Sequence, residues 1–248
     1  MVMNINITYI DHSGFLVETD KCYWLFDYYK GTIPKLESEK MLIVFVSHSH
    51  HDHFNPKIFY LHESHPKIRY LISSDVKLDE ASVSRYDITG ELAHKIRTIY
   101  PDSNYEISDE GLNIRVNTLK STDKGVAFLV EYESRTFYHA GDLNLWVWKE
   151  EDKQYNNNMK AKFEKELSKI KGKNIDVAFA PLDPRQEEWY GLGMDALLDN
   201  VNVRYVFPMH FWDRTETVQL YKKERATKPT KTTIVEVEKQ GQSWNINI

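Results

Sequence analysis

The chain has 248 residues, 41% hydrophobic and 28% charged, which excludes a disordered polymer and leaves enough apolar surface for a large core. Its net charge of −5 argues against a nucleic-acid or anionic-membrane partner, and its single cysteine excludes an internal disulfide. No apolar run approaches the roughly 20 residues needed to span a bilayer, and the opening MVMNINITYIDHSG lacks the pattern of a secretory leader, so a cytoplasmic location is expected. In chain order, β-type runs are predicted over residues 4–10, 14–18, 22–27, 42–46 and 68–72, followed by a helix over 91–99. Further strands are predicted over 112–119, 126–132 and 136–138. The polar segment 149–158 reads as a surface loop. After it, Met159, Phe163, Leu167 and Ile170 recur at spacings of 4, 4 and 3, one face of a helix. A strand over 175–180, a helix over 194–201, a strand over 204–208 and a helix over 215–225 lead to a terminal β pair at 232–238 and 244–247. No Gly/Ser-rich or Pro-rich linker interrupts the chain, so residues 1–248 are expected to form a single α/β domain of face-to-face sheets with helices outside.

Several apolar strands end abruptly in His or Asp: LIVFV before SHSHHDH, RTFY before HAGD, VAFA before PLDP and RYVF before PMHF. Strand ends are where layered α/β folds place functional groups. The strands at 42 and 204 look like equivalent positions in two related halves. The first of these ends carries His48, His50, Asp52 and His53 in the pattern H-x-H-x-D-H. Imidazole and carboxylate at this density suit zinc, manganese or iron. A helix is the poorer reading, because His48 and His50 would diverge by about 200° on a 3.6-residue period.

This loop resembles the signature of the metallo-β-lactamase superfamily, and the likeness extends in order along nearly the whole chain. The opening I-T-Y-I-D-H-S-G-F, with His12, is similar to the branch that includes ascorbate-6-phosphate lactonase. Trp24-Leu25-Phe26-Asp27 resembles an early strand whose terminal Asp is a hydrogen-bonding residue near the site. Tyr138-His139-Ala140-Gly141-Asp142 resembles the later G-D motif, and Met209-His210-Phe211 the terminal strand-end histidine. The resemblance implies a four-layer αββα sandwich holding one or two divalent metals, zinc or manganese, with iron possible. It assigns His48 and His50 to a first metal, and Asp52, His53 and His210 to a second, with Asp142 bridging. The family's third histidine for the first metal is missing from the stretch before Val126. Asp123 is a substitute there as a hard oxygen ligand, or else an ordinary turn residue. The implied activity is hydrolysis of an ester, lactone, amide or phosphoester of a small molecule by a metal-bound hydroxide that Asp52 ligates and orients. His12 and His139 are expected to support the ligands. Trp146, Trp189, Trp212 and Arg185 are candidates for a substrate pocket, and a homo-oligomer is compatible with the sequence. His62 and His65 read as surface residues. The main alternative is a metal-binding sensor without turnover; a nuclease is disfavoured by the acidic charge and the lack of a basic arm.

Overall fold

The computed structural model describes residues 2–88, 90–109, 111–227 and 231–248. Its elements in order are β1 (Asn4–Asp11), β2 (Gly14–Glu18), β3 (Cys22–Phe26), β4 (Met41–Val46), α1 (Leu61–Ser64), β5 (Ile68–Ser73), α2 (Glu80–Arg85), α3 (Gly90–Lys95) and β6 (Ile96–Ile99). There follow β7 (Asn104–Asp109), β8 (Leu112–Lys120), β9 (Val126–Tyr132), β10 (Arg135–His139), α4 (Lys153–Ser168), β11 (Asn174–Pro181), α5 (Leu192–Asn200), β12 (Asn202–Met209), α6 (Glu216–Arg225), β13 (Thr233–Ile234) and β14 (Ser243–Asn247). Two compact units result, residues 1–100 with 239–248, and residues 101–238.

The first unit contains one seven-stranded sheet in the order β14-β1-β2-β3-β4-β5-β6. Strands β1 to β3 form an antiparallel meander, and β3 to β6 run parallel. Strand β4 (MLIVFV) is buried at every position, as expected for a parallel strand with both faces covered. Leu42, Val44 and Val46 pack with Ile58, Phe59, Tyr70 and Leu92 in one apolar cluster. The second unit repeats this topology in the order β13-β12-β11-β10-β9-β8-β7. Strands β7 to β10 are antiparallel, and β10 to β13 parallel. The chain is thus a two-sheet α/β protein. Matching the two patterns pairs β3 with β10 and β4 with β11. The strand at 42 therefore corresponds to the one at 174, and not, as expected, to the one at 204.

Two further expectations are corrected. The helix predicted over 91–99 stops at Lys95, because the β-branched run Ile96–Ile99 pairs in parallel with Tyr70 to Ser73 and buries Ile99 completely. The predicted terminal β pair does not form. Thr233 and Ile234 extend the second unit's sheet beside β12, whereas Ser243–Asn247 closes the first unit's sheet beside β1. Main-chain bonds from Gly241 N to Tyr9 O and from Tyr9 N to Gln242 O direct the last strand to β1. Strand β7 went unpredicted because its NYEISD sequence is polar and largely exposed. Among the described residues, no helix is long and apolar enough to cross a membrane.

In the second unit, Met159, Phe163, Leu167 and Ile170 are all buried, as their spacing predicts. Asp152 starts α4 by accepting a hydrogen bond from Tyr155 N at 2.7 Å, so the helix begins inside the predicted polar loop. Phe163 and Leu167 line one apolar gap with Tyr138 and Ala180 of the sheet and Met194 and Leu197 of α5. Gly193 brings α5 against the loop after β10, since a Cβ there would overlap the Asn144 amide oxygen and lie 3.1 Å from Leu145 N. Asn144 donates in turn to Gln186 Oε1 at 3.1 Å, and Gln186 Nε2 donates to the Leu145 and Val147 carbonyls at 2.8 and 3.1 Å. Gly193→Ala is expected to destabilise the protein by about 1–3 kcal/mol through overpacking, and Asp152→Ala by about 1 kcal/mol through loss of the cap. Urea denaturation of the two variants tests both; an unchanged midpoint for Gly193→Ala would refute the close approach.

Candidate metal centre

In the first unit the site is built from Asp27, at the end of β3. Its amide donates to Phe45 O at 2.9 Å, continuing the parallel register with β4, and its own backbone then turns left-handed at φ 42°. This sets a fully buried carboxylate beside the start of the histidine loop. Oδ1 accepts from Ser47 N at 2.7 Å, while Oδ2 accepts from Ser47 Oγ at 2.6 Å and from His53 Nδ1 at 2.8 Å. Ser47 has one hydroxyl proton and gives it to Asp27, so at 2.9 Å its oxygen accepts from His48 Nδ1. One carboxylate thereby places the Nδ1 proton on both His48 and His53, leaving each a lone pair on Nε2. The loop itself is a tight turn, with His53 N and Phe54 N both donating to His50 O at 3.0 Å. Ser49 N donates to Asp75 Oδ2 at 2.9 Å, which anchors the residue between His48 and His50.

His48 and His50 lie with ring centroids 4.6 Å apart, and their ligand-capable atoms are within 4.8 Å. His12, Asp52 and His53 form a second group with the same maximum spacing. His12 occupies the β1–β2 turn at φ 51°, and Gly14 permits that turn to approach β3, since a Cβ would sit 2.9 Å from Asp11 O and 3.1 Å from Asp27 O. His12 Nε2 is 3.4 Å from Asp52 Oδ2. Burial by itself would raise the Asp52 carboxyl, but His12 beside it and the nearby His53 hold it below the usual carboxylate range. His51 points outward, its side chain 82% exposed, beside Tyr29. His65, expected at the surface, is buried, and that burial lowers its pKa.

The second unit has its own set of acidic and imidazole groups. His210 follows β12 at φ 63°; its Nδ1 lies 3.0 Å from Asp183 Oδ2 and its Nε2 3.4 Å from Asp142 Oδ1. Asp183 is fully buried at the end of β11 and also accepts the Arg185 guanidinium. Burial opposes its ionisation, yet His210 and Arg185 bring its pKa down to about 2. The Asp183 carboxylate therefore plays toward His210 the part that Asp27 plays toward His53. Asp142 is buried just past Gly141, and Asp123 brings an oxygen within 4.8 Å of it from the β8–β9 turn. Trp146 and Trp212 flank the His210 ring at centroid distances of 5.4 and 5.9 Å, and the Arg185 guanidinium lies 4.8 Å over Trp212. Trp189 is half-buried on the segment after Asp183. His139 Nδ1 accepts from Gly141 N at 3.2 Å, next to Asp142 in the chain, and its ring packs on Phe179.

Sequence reasoning missed Ser47, Asp75 and Asp183 as supporting residues. Ser47 adjoins the motif and Asp183 stands at one of the noted strand ends. Asp75 carries no signal beyond its position after β5.

Among solved structures, the fold is similar to Igni18, a metallo hydrolase from the archaeon Ignicoccus hospitalis, at TM-score 0.62 and 17% identity over 98% of both chains. It is similar to the metallo-beta-lactamase fold protein YhfI from Bacillus subtilis, at TM-score 0.55 and 13% identity over 98% of this chain and 99% of that one. It also resembles CmlA, a diiron beta-hydroxylase from Streptomyces venezuelae, at TM-score 0.61 and 10% identity over 98% of this chain but only 54% of CmlA. No curated protein gives a significant match. The beta-lactamase superfamily domain matches residues 6–210, which takes in every strand-end motif from His12 to His210. The chain belongs to the beta-lactamase superfamily, and its two seven-stranded sheets are those of the metallo-β-lactamase fold.

Proposed function

We propose that this protein is a metal-dependent hydrolase of a small molecule. The observation that carries the reading is the orientation of the imidazoles: Asp27 acts on His48 through Ser47 and on His53 directly, and Asp183 acts on His210. A buried carboxylate behind a histidine fixes its tautomer and raises its basicity, which is what a metal ligand needs and what a merely packed histidine does not. The donor set fits one or two divalent cations. Each unit offers its own proposed ligands: His48, His50, Asp52 and His53 in the first, and Asp142 and His210 in the second, with Asp123 a further oxygen donor beside Asp142. Such a metal supplies Lewis-acid activation of water and of the scissile group. Among the chain's own residues, Asp52 stays ionised and orients the attacking water. Arg185 and Trp212, stacked and solvent-accessible, are proposed to meet the substrate, with Trp146 and Trp189 as apolar walls. The scissile bond is proposed to be an ester, lactone, amide or phosphoester, in keeping with the resemblance to the lactonase-like branch.

One observation favours a second reading. Asp123 and Asp142 place two carboxylates together in the second unit, a hard oxygen environment that favours manganese or iron over zinc. With iron, redox chemistry becomes the competitor, CmlA being named a diiron beta-hydroxylase.

Three outcomes are expected. First, purified protein contains a divalent metal, and exhaustive chelation lowers its melting temperature by several degrees, because ligand binding to the folded state adds to stability; elemental analysis with thermal melting tests this, and a metal-free protein with unchanged melting would refute the assignment. Second, a panel of aryl esters, lactones and phosphodiesters yields at least one anaerobic turnover that His50→Ala abolishes. Turnover requiring oxygen would favour the second reading, and metal binding without any turnover the sensor. Third, Asp27→Ala lowers metal affinity by about 10- to 100-fold without removing a ligand, as expected when the group orienting two imidazoles is lost. Titration of apo protein measures this, and an unchanged Kd would show that Asp27 serves only the fold.

A further inference from the structure

We infer that His12 is itself a metal ligand, completing with Asp52 and His53 a three-donor set contained in the first unit; this rests on the metal-dependent reading above. His12 is buried, 3% exposed, and is held by the β1–β2 turn in a left-handed conformation that a non-glycine residue adopts at a cost. Its Nε2 is aimed at Asp52 Oδ2, and its ring meets that of His53 edge-on at 5.5 Å between centroids. The ligand-capable atoms of all three residues lie within 4.8 Å of one another.

The spacing matches two ligands on a shared metal better than a simple hydrogen bond. An N–H···O bond prefers about 2.7–3.2 Å between heavy atoms. Two donors bound to one metal at about 2.1 Å and a tetrahedral angle lie about 3.4 Å apart. His12 Nε2 and Asp52 Oδ2 are 3.4 Å apart, long for a hydrogen bond and equal to that coordination edge. In the second unit, the proposed ligand pair His210 Nε2 and Asp142 Oδ1 shows the same 3.4 Å. The orientation of His53 by Asp27 leaves its Nε2 as the donor atom, so the set offers two imidazole nitrogens and one carboxylate oxygen. This donor set suits a tightly held transition metal.

The test compares His12→Gln with His12→Ala. Glutamine retains an N–H donor for Asp52 but is a poor ligand for a transition metal; alanine removes both functions. Metal-free protein of each variant is titrated with cobalt(II), reading the visible ligand-field spectrum, and with zinc(II) against a chelating indicator. Melting of the metal-free forms reports folding. Both variants are expected to lose the tightest affinity by about 100-fold or more and to change the cobalt spectrum, with Gln melting near wild type and added imidazole partly restoring the spectrum of His12→Ala. If His12→Gln keeps wild-type affinity and spectrum, His12 serves only as a hydrogen-bond partner of Asp52 and the inference is overturned, while the hydrolase reading stands. If wild-type protein binds neither metal, both fail together.

Discussion

The buried carboxylate of Asp27 is the constraint on which the histidine loop depends. It accepts three hydrogen bonds within 2.8 Å, two from Ser47 and one from His53, in a position with no access to water. Each donor is needed, because an ionised carboxylate removed from solvent is costly unless its lone pairs are occupied. Satisfying it draws the start and the end of the histidine loop to the same point at the end of β3. The path of the chain between Ser47 and His53 is thereby closed around a common anchor. The same contacts decide which nitrogen of each ring is left as a donor, so folding energy and ligand chemistry come from one group.

The second unit reaches a comparable result with different residues. Asp183, at the end of β11, orients His210 at the end of β12 and is itself neutralised by Arg185. Asp27 follows β3 and Asp183 follows β11, which are not matching strands in the shared topology. The chemistry is repeated even though the strand that supplies it is not. By contrast, the β1–β2 turn carries His12 and the topologically matching β8–β9 turn carries Asp123, each beside an Asp of its own unit. Parallel strands end on one side of a sheet and expose backbone groups there, so both arrangements use the edge where side chains converge without interrupting the hydrogen-bond ladder.

Several residues at these edges hold left-handed backbone conformations without being glycine: His12, Asp27, His210 and Trp212. Each such conformation costs about 1 kcal/mol or more for an L-residue. At Asp27 and His210 the cost is offset by the buried charge-assisted hydrogen bonds that these residues make. Their concentration at the ends of strands bearing His and Asp ties local strain to the placement of the polar groups.

Local sequence specifies the kinds of donor, their order along the chain and their position at strand ends. The H-x-H-x-D-H run and the abrupt change from apolar strand to His or Asp are local patterns, and strands such as Gly14–Glu18 and Val126–Tyr132 were legible from the same local periodicity. Which partners these donors meet depends on long-range packing. His53 finds Asp27 and His210 finds Asp183 across 26 and 27 residues, separations that no spacing rule encodes. His12 joins Asp52 for the same reason, through a hairpin turn and a loop separated by 40 positions. Tertiary pairing likewise made Ile96–Ile99 a strand beside β5 and sent the last two strands to different sheets, beside β12 and β1, because the partner that satisfies each backbone lies far away in sequence.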